Sequence, residues 1–228
     1  HKPEMVISNI FSSPNGLRVV SNDTVYDADL KVLYTHPCKF TSISCSDEAY
    51  ITIADVNKLV TVFDNQNFSI ICQFAVKKTP TSLAVKAEKV YATDRFGDVH
   101  AFDLSTKQDQ IIAGTVSTLT SVTVTESQVL TADKDEKIRS FDVERFELDG
   151  FLLGHEEYVA KILLVDNDKL VSAGGDRYVC VWDITSPING TRFDYQFKID
   201  LPLEKGVYDL SIAGQYVLVA FDDSCIVA

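Results

Sequence analysis

Four histidines, His1, His36, His100 and His155, set the limits of acid–base or nucleophilic chemistry in this 228-residue chain. His1 opens the segment His1-Lys2-Pro3-Glu4 ahead of the only methionine, Met5, and reads as a remnant of expression cloning. His36 falls in a loop between two predicted strands. His100 falls on an alternating strand, where a solvent-facing position is the default. Neither has a Ser or Cys nucleophile beside it in sequence. The five cysteines, Cys38, Cys45, Cys72, Cys180 and Cys225, are odd in number and none sit at C-x-x-C spacing. They read as reduced, buried thiols rather than a disulfide frame or a zinc site. The carboxylates of Asp133-Lys134-Asp135-Glu136-Lys137 bring their own cations and lack the glycine of a calcium loop, so a solvated turn is expected there. No G-x-x-x-x-G-K-[ST] or strand–G-x-G-x-x-G–helix unit occurs. No catalytic residue, metal ligand or cofactor is expected from these residues, and no nucleotide or S-adenosylmethionine pocket is encoded.

One constellation remains, running from Gly154-His155 through Ser172 and Asp176 to Trp182-Asp183. Three strands must position it. Val159–Val165 and Leu170–Ala173 are joined by the polar link Asp166–Lys169. Gly174, Gly175 and Asp176 make a tight turn into the third strand, Tyr178–Trp182. Gly-His some two dozen residues before Trp-Asp resembles a WD repeat, one four-stranded blade of a β-propeller. The resemblance implies a buried polar set in which Asp176 holds His155, His155 holds Ser172, and Ser172 holds the indole N–H of Trp182. Such a network is stable only when every member is satisfied, and its role is to hold a blade together.

The pattern recurs. Aligned on their last residue, ITIADVNKLVTVFD, YATDRFGDVHAFD, LTADKDEKIRSFD and LVSAGGDRYVCVWD end at Asp64, Asp103, Asp142 and Asp183, spaced by 39, 39 and 41 residues. That is the repeat length of a four-stranded blade. Phe63, Phe102 and Phe141 replace Trp182 without an indole donor. Thr131 and Asp135 keep two of the polar positions in the repeat ending at Asp142, but the first three repeats have no Gly-His. Strands Val6–Phe11, Leu17–Ser21, Thr24–Ala28 and Lys31–Tyr34 make a first blade, turning at Pro14-Asn15-Gly16. Phe40–Cys45, Pro80–Val85, Ser117–Val124 and Val159–Val165 open the next four. After the loop Ser186–Gly190, Arg192–Ile199 completes the fifth. Gly206–Ile212, Gln215–Ala220 and Ser224–Ala228 begin a sixth. The expected fold is all-β: a WD-repeat β-propeller, one domain over residues 1–228, with five full blades and most of a sixth.

Composition narrows the partners. Net charge is −12, and a protein whose main task was gripping phosphates would carry a basic excess. Recognition of protein is the expectation, with no membrane role, because no apolar run is long enough to span a bilayer. Lys77-Lys78 is the one basic pair considered for a phosphate, and a solvated loop is preferred.

Two turns carry charge of both signs: Asp94-Arg95-Phe96-Gly97-Asp98-Val99 and Asp133-Lys134-Asp135-Glu136-Lys137-Ile138-Arg139. They are equivalent segments of adjacent repeats and should lie side by side. With Leu153-Gly154-His155-Glu156-Glu157-Tyr158-Val159 and Leu170-Val171-Ser172-Ala173-Gly174-Gly175-Asp176, they resemble the WD-repeat, non-catalytic subunit of the eukaryotic tRNA (guanine-N7)-methyltransferase. The close match covers about residues 90–183. The resemblance implies a seven-bladed propeller, nuclear and possibly also cytoplasmic in location, that forms a heterodimer with the S-adenosylmethionine-binding catalytic subunit and supports its active conformation. It implies tRNA contact mainly through the complex. It gives Arg139 the contact with an acidic residue of the enzyme, with Lys134, Asp135, Glu136 and Lys137 on the same turn and Arg95 and Asp98 on its neighbour. A guanidinium suits that role because it binds a carboxylate through two parallel hydrogen bonds. The alternative is a generic WD-repeat interaction scaffold of another complex, which the fold alone supports equally.

Overall fold

Short runs of alternating apolar and polar residues, punctuated by Asp-, Asn- and Gly-rich turns, bury their apolar face most readily as antiparallel sheet. The computed structural model describes residues 9–13, 16–45, 49–176, 178–185, 192–201, 206–213, 216–221 and 226–227, and every helix or strand among them is a strand. No helix among the described residues is long and apolar enough to cross a membrane.

The strands form six sheets in chain order. The first contains β1 (Asn9–Ser13), β2 (Gly16–Ser21), β3 (Thr24–Tyr26) and β4 (Val32–Thr35). The second contains β5 (Phe40–Ser44), β6 (Tyr50–Asp55), β7 (Leu59–Asp64) and β8 (Ile70–Ala75). The third contains β9 (Pro80–Lys86), β10 (Lys89–Asp94), β11 (Asp98–Asp103) and β12 (Asp109–Gly114). In the fourth are β13 (Leu119–Val124), β14 (Gln128–Asp133), β15 (Ile138–Asp142) and β16 (Leu148–Leu152). The fifth pairs β17 (Val159–Leu164), β18 (Lys169–Gly174) and β19 (Tyr178–Asp183) with β21 (Tyr195–Asp200), and β20 (Arg192–Phe193) joins the fourth. The sixth has three strands, β22 (Val207–Ala213), β23 (Tyr216–Phe221) and β24 (Ile226–Val227). These are the blades anticipated from the repeat. Residues 6–8, Pro14-Asn15, the loop 186–190, Lys205, and residues 224, 225 and 228 of the predicted last strand lie outside the described residues.

Two predicted strands differ. Thr24–Ala28 stops at Tyr26, because Asp27 turns the chain: its Oδ1 accepts the N–H groups of Asp29 at 3.0 Å and Lys31 at 2.8 Å. Arg192–Ile199 is two strands rather than one. Phe151 and Leu152 of β16 pair in parallel with Arg192 and Phe193, whereas Tyr195–Asp200 pairs antiparallel with β19. The break follows from burial: Phe193 is fully buried, packed with Ile138, Leu152 and Trp182, while Tyr195 faces outward.

The chain divides into two compact units, residues 1–92 with 100–110 and residues 93–99 with 111–228, and the division runs through the third sheet. In the first unit, Val20, Val25, Phe40, Ile51, Ile53 and Phe63 form one core. A second core has Val60, Val62, Leu83, Val85 and Val90 around Phe74 and Phe102, whose rings stack with centroids 3.8 Å apart. In the second unit, Leu130, Ile138, Leu152, Ile162, Leu170 and Trp182 form the main core, and Val171, Val179, Leu210, Val219 and Phe221 a further one. Each such side chain contributes ~2 kcal/mol by leaving water. The opening strands β13 and β17 are tied by hydroxyls: Thr120 Oγ1 donates to Val159 O at 2.6 Å, and Ile162 N donates to Ser121 Oγ at 3.3 Å.

Candidate functional site

The fifth sheet carries a complete polar chain. The indole Nε1 of Trp182 donates to Ser172 Oγ at 2.7 Å. The Ser172 hydroxyl lies 2.6 Å from His155 Nε2, and His155 Nδ1 lies 2.8 Å from Asp176 Oδ2. The ionised Asp176 carboxylate can only accept, so His155 donates to it from Nδ1. Asp176 also accepts the backbone N–H of Glu156 at 2.8 Å. Burial would push its carboxyl up. The hydrogen bond and charge of His155 and the backbone N–H groups of Glu156 and Tyr178 outweigh that, so it lies below the ordinary Asp value. A Ser–His–Asp order is also that of a hydrolase. Here, however, Ser172 is fully buried and its oxygen is engaged by the indole, so no acyl group can reach it.

The second, third and fourth sheets use a different carboxylate. Asp55, Asp94 and Asp133 each stand nine residues before the terminal Asp of their repeat, at the register of Gly174 rather than of Asp176. Each is buried, and each Oδ1 accepts two backbone N–H groups of the following turn: Asn57 and Leu59, Phe96 and Asp98, Asp135 and Lys137, at 2.7–3.1 Å. In the second sheet the other oxygen takes a histidine, His36 Nε2 lying 2.7 Å from Asp55 Oδ2 and His36 Nδ1 lying 2.9 Å from Tyr34 Oη. His36 therefore fills the place of His155 without a Gly-His motif. In the fourth sheet no histidine is present. Thr131 stands at the position of Ser172, and its buried hydroxyl has no partner among the described residues. Asp135, at the position of Asp176, points outward, because Asp133 has taken the inward place.

The two charged turns lie in the second unit and are joined through Thr118. Its hydroxyl donates to Arg95 O at 2.9 Å, and its carbonyl accepts the N–H of Lys134 at 3.0 Å. Arg95, Lys134, Asp135 and Glu136 are exposed, and Asp98 and Lys137 half-buried. Phe96 stands out between them at 59% exposure, a large apolar side chain on a charged surface. Two backbone features hold these turns: Gly97 has φ +94°, and a Cβ there would strike Thr115 O, so no other residue fits. Glu136 also adopts a left-handed conformation, with φ +68°. Arg139 is not on the outside of this surface. It lies on β15, opposite Thr131 and Phe151, with its side chain 14% exposed; Nη1 is paired to Asp133 Oδ2 and the guanidinium sits 5.8 Å from the centre of the Phe151 ring.

His100, expected to face solvent, is buried, with Nδ1 3.2 Å from Asp109. The four central residues of β11, Val99 to Phe102, are all buried, so both faces of that strand are covered and it has no outer face there. Cys38, Cys45, Cys72 and Cys180 are free thiols, and burial, then the charge of Asp176, pushes Cys180 up to about 12.

Residues 105–200 match the family described as the tRNA methyltransferase TRM82 WD40 domain. Among curated proteins, the chain is 28% identical over 213 residues to a tRNA (guanine-N(7)-)-methyltransferase non-catalytic subunit of Caenorhabditis elegans, covering 89% of this chain and 53% of that protein. It is 31% identical over 173 residues to the non-catalytic subunit TRM82 of Saccharomyces cerevisiae, covering 68% and 39%. It is likewise 31% identical over 147 residues to the non-catalytic subunit WDR4 of Bos taurus, covering 60% and 36%. The chain thus spans between about a third and a half of the length of the curated relatives it matches. A chain of the crystal structure of the mitotic checkpoint complex shares the fold, with a TM-score of 0.74 at 15% identity over 96% of this chain and 75% of that one. The fold is the all-β WD-repeat propeller type, and the chain resembles the non-catalytic WD-repeat subunits of tRNA (guanine-N7)-methyltransferases.

Proposed function

We propose that this chain is the propeller portion of a non-catalytic subunit of a heterodimeric tRNA (guanine-N7)-methyltransferase, docking on the S-adenosylmethionine-binding subunit and supporting its active conformation. One observation carries the reading: the stretch that matches the family, residues 105–200, contains the turn Asp133–Arg139 and Thr118, which ties it to the neighbouring charged turn. Arg95, Lys134 and Lys137 beside Asp98, Asp135 and Glu136 form a mixed-charge surface on a chain of net charge −12. Charge pairs across an interface fix register and exclude wrong partners, which is what a positioning subunit requires. The buried polar set His155, Ser172, Asp176 and Trp182 supplies rigidity and no catalysis. With so acidic a chain, tRNA is held mainly by the assembled enzyme.

Arg139 acts from beneath this surface. Its pair with Asp133 leaves it half-buried, so it orients the turn and offers its remaining N–H groups at the edge. This decides the choice of variants. Arg139→Glu would set a second carboxylate against buried Asp133 and disturb the fold as well as docking. The exposed pair is the cleaner test: Lys134→Glu with Glu136→Lys is expected to weaken association with the catalytic subunit at least tenfold, about 1.4 kcal/mol, with no change in thermal midpoint. Co-purification and methyl-transfer assays of the heterodimer read the outcome. Undiminished association of that double variant, together with Arg139→Lys, would remove this surface from the interface.

A further inference from the structure

We propose that His36, Cys38 and Asp55 form a zinc site that ties the loop after β4 to the turn between β6 and β7. A ligand atom of each, a ring nitrogen, Sγ and a carboxylate oxygen, lies within 4.8 Å of the other two. Zinc–ligand bonds of about 2.0–2.3 Å at tetrahedral angles separate ligands by ~3.3–3.7 Å, so separations of at most 4.8 Å close onto one ion with shifts of about 1 Å or a little more. The pair His36 Nε2 and Asp55 Oδ2, now 2.7 Å apart, opens by roughly 0.6 Å when a cation replaces the shared proton.

The surroundings suit that exchange. Asp55 Oδ1 is committed to the N–H groups of Asn57 and Leu59, so the carboxylate is already aimed and Oδ2 alone is free to ligate. Tyr34 Oη holds the opposite ring nitrogen of His36 at 2.9 Å, the outer contact that orients a ligating imidazole. Asn57 Nδ2 donates to Cys38 Sγ at 2.8 Å, which orients the sulfur towards the cluster from the neighbouring turn. A thiolate, a carboxylate and a neutral imidazole supply two negative charges for one divalent ion, and sulfur with nitrogen selects zinc over magnesium or calcium. His36 and Asp55 are buried, whereas Cys38 is half-buried and Asn57 exposed, so the ion enters from solvent, and water completes the fourth position.

The fifth sheet shows why the second differs. There the histidine is sealed by Ser172 and the indole, and Glu157 stands two residues after it. In the second sheet Ile53 and Phe63 replace the hydroxyl and indole, and Cys38 stands two residues after His36.

Cobalt(II) tests the site on the full chain after chelator treatment. One equivalent is expected to give tetrahedral d–d bands with thiolate-to-cobalt charge-transfer absorption, both displaced by zinc. Charge transfer is expected to vanish in Cys38→Ser, with affinity at least tenfold weaker in that variant and in His36→Gln, and to persist in Cys72→Ser. Absence of charge transfer in the unaltered chain overturns the proposal. So does a band that survives Cys38→Ser or is lost in Cys72→Ser.

Discussion

At the scale of single residues, two equivalent positions share a backbone place and differ in satisfaction. Ser172 serves the indole and the imidazole at once; Thr131 serves neither, and its hydroxyl is buried without a partner among the described residues. Ser172→Ala strands two buried polar groups and is expected to destabilise the protein by about 2–3 kcal/mol. Thr131→Val removes an orphan and is expected to stabilise by about 1 kcal/mol. Urea midpoints of the two variants check the opposite signs. The first network was legible because Gly-His, Ser, Asp and Trp-Asp form a local motif at fixed spacing. The second set was misread through that same motif: Asp135 matched the register of Asp176, whereas the working carboxylate is Asp133. Arg139 is singled out by resemblance alone, and its internal pair with Asp133 was not legible, since sequence does not say which face of β15 carries it.

At the scale of elements, the repeat length and the terminal Asp residues gave the sheets almost strand for strand. The Asp that stands nine residues before each terminal Asp was equally visible, yet nothing in its spacing said that it would bind the turn's N–H groups. The role of His36 was hidden for another reason: its partner Asp55 is on a different strand, and Pro37-Cys38 breaks the motif around it. The departure at β20 came from burial of one side chain. Phe193 sits in the core between Ile138, Leu152 and Trp182, and no periodicity distinguishes it from Tyr195 two residues on. Phe193→Ala is expected to cost about 3–4 kcal/mol. Thermal unfolding should show it as a fall of roughly 6–16 °C at 2–4 °C per kcal/mol.

For the molecule as a whole, carboxylates set the acid limit. Asp103, Asp142 and Asp183 each end a repeat and accept N–H groups of the next turn. The Ser105 hydroxyl and the Thr106 N–H hold Asp103 at about 2; backbone N–H groups of Arg145 and Glu144 depress Asp142; and the Thr185 hydroxyl and N–H depress Asp183. Asp176 moves the same way. Folded values below the unfolded value of about 3.9 mean that the unfolded chain binds more protons between the two. Their contribution is complete above the unfolded value and is lost as pH falls through the folded ones. Urea midpoints are therefore expected to be level above about pH 5 and to decline from pH 4 towards 2, with a shallower decline in Asp103→Asn.

The parallel pair of β16 with β20 has a topological consequence. Phe151 meets Arg192 only after the chain has run through β17, β18 and β19, so this pairing closes a long loop around three strands of the next sheet. Closing it costs entropy that no local turn can return, and the strands inside gain their last neighbour, β21, only from chain beyond the closure. The fourth and fifth sheets are thus tied through Asp194, the one residue of chain between β20, hydrogen-bonded to the fourth, and β21, hydrogen-bonded to the fifth.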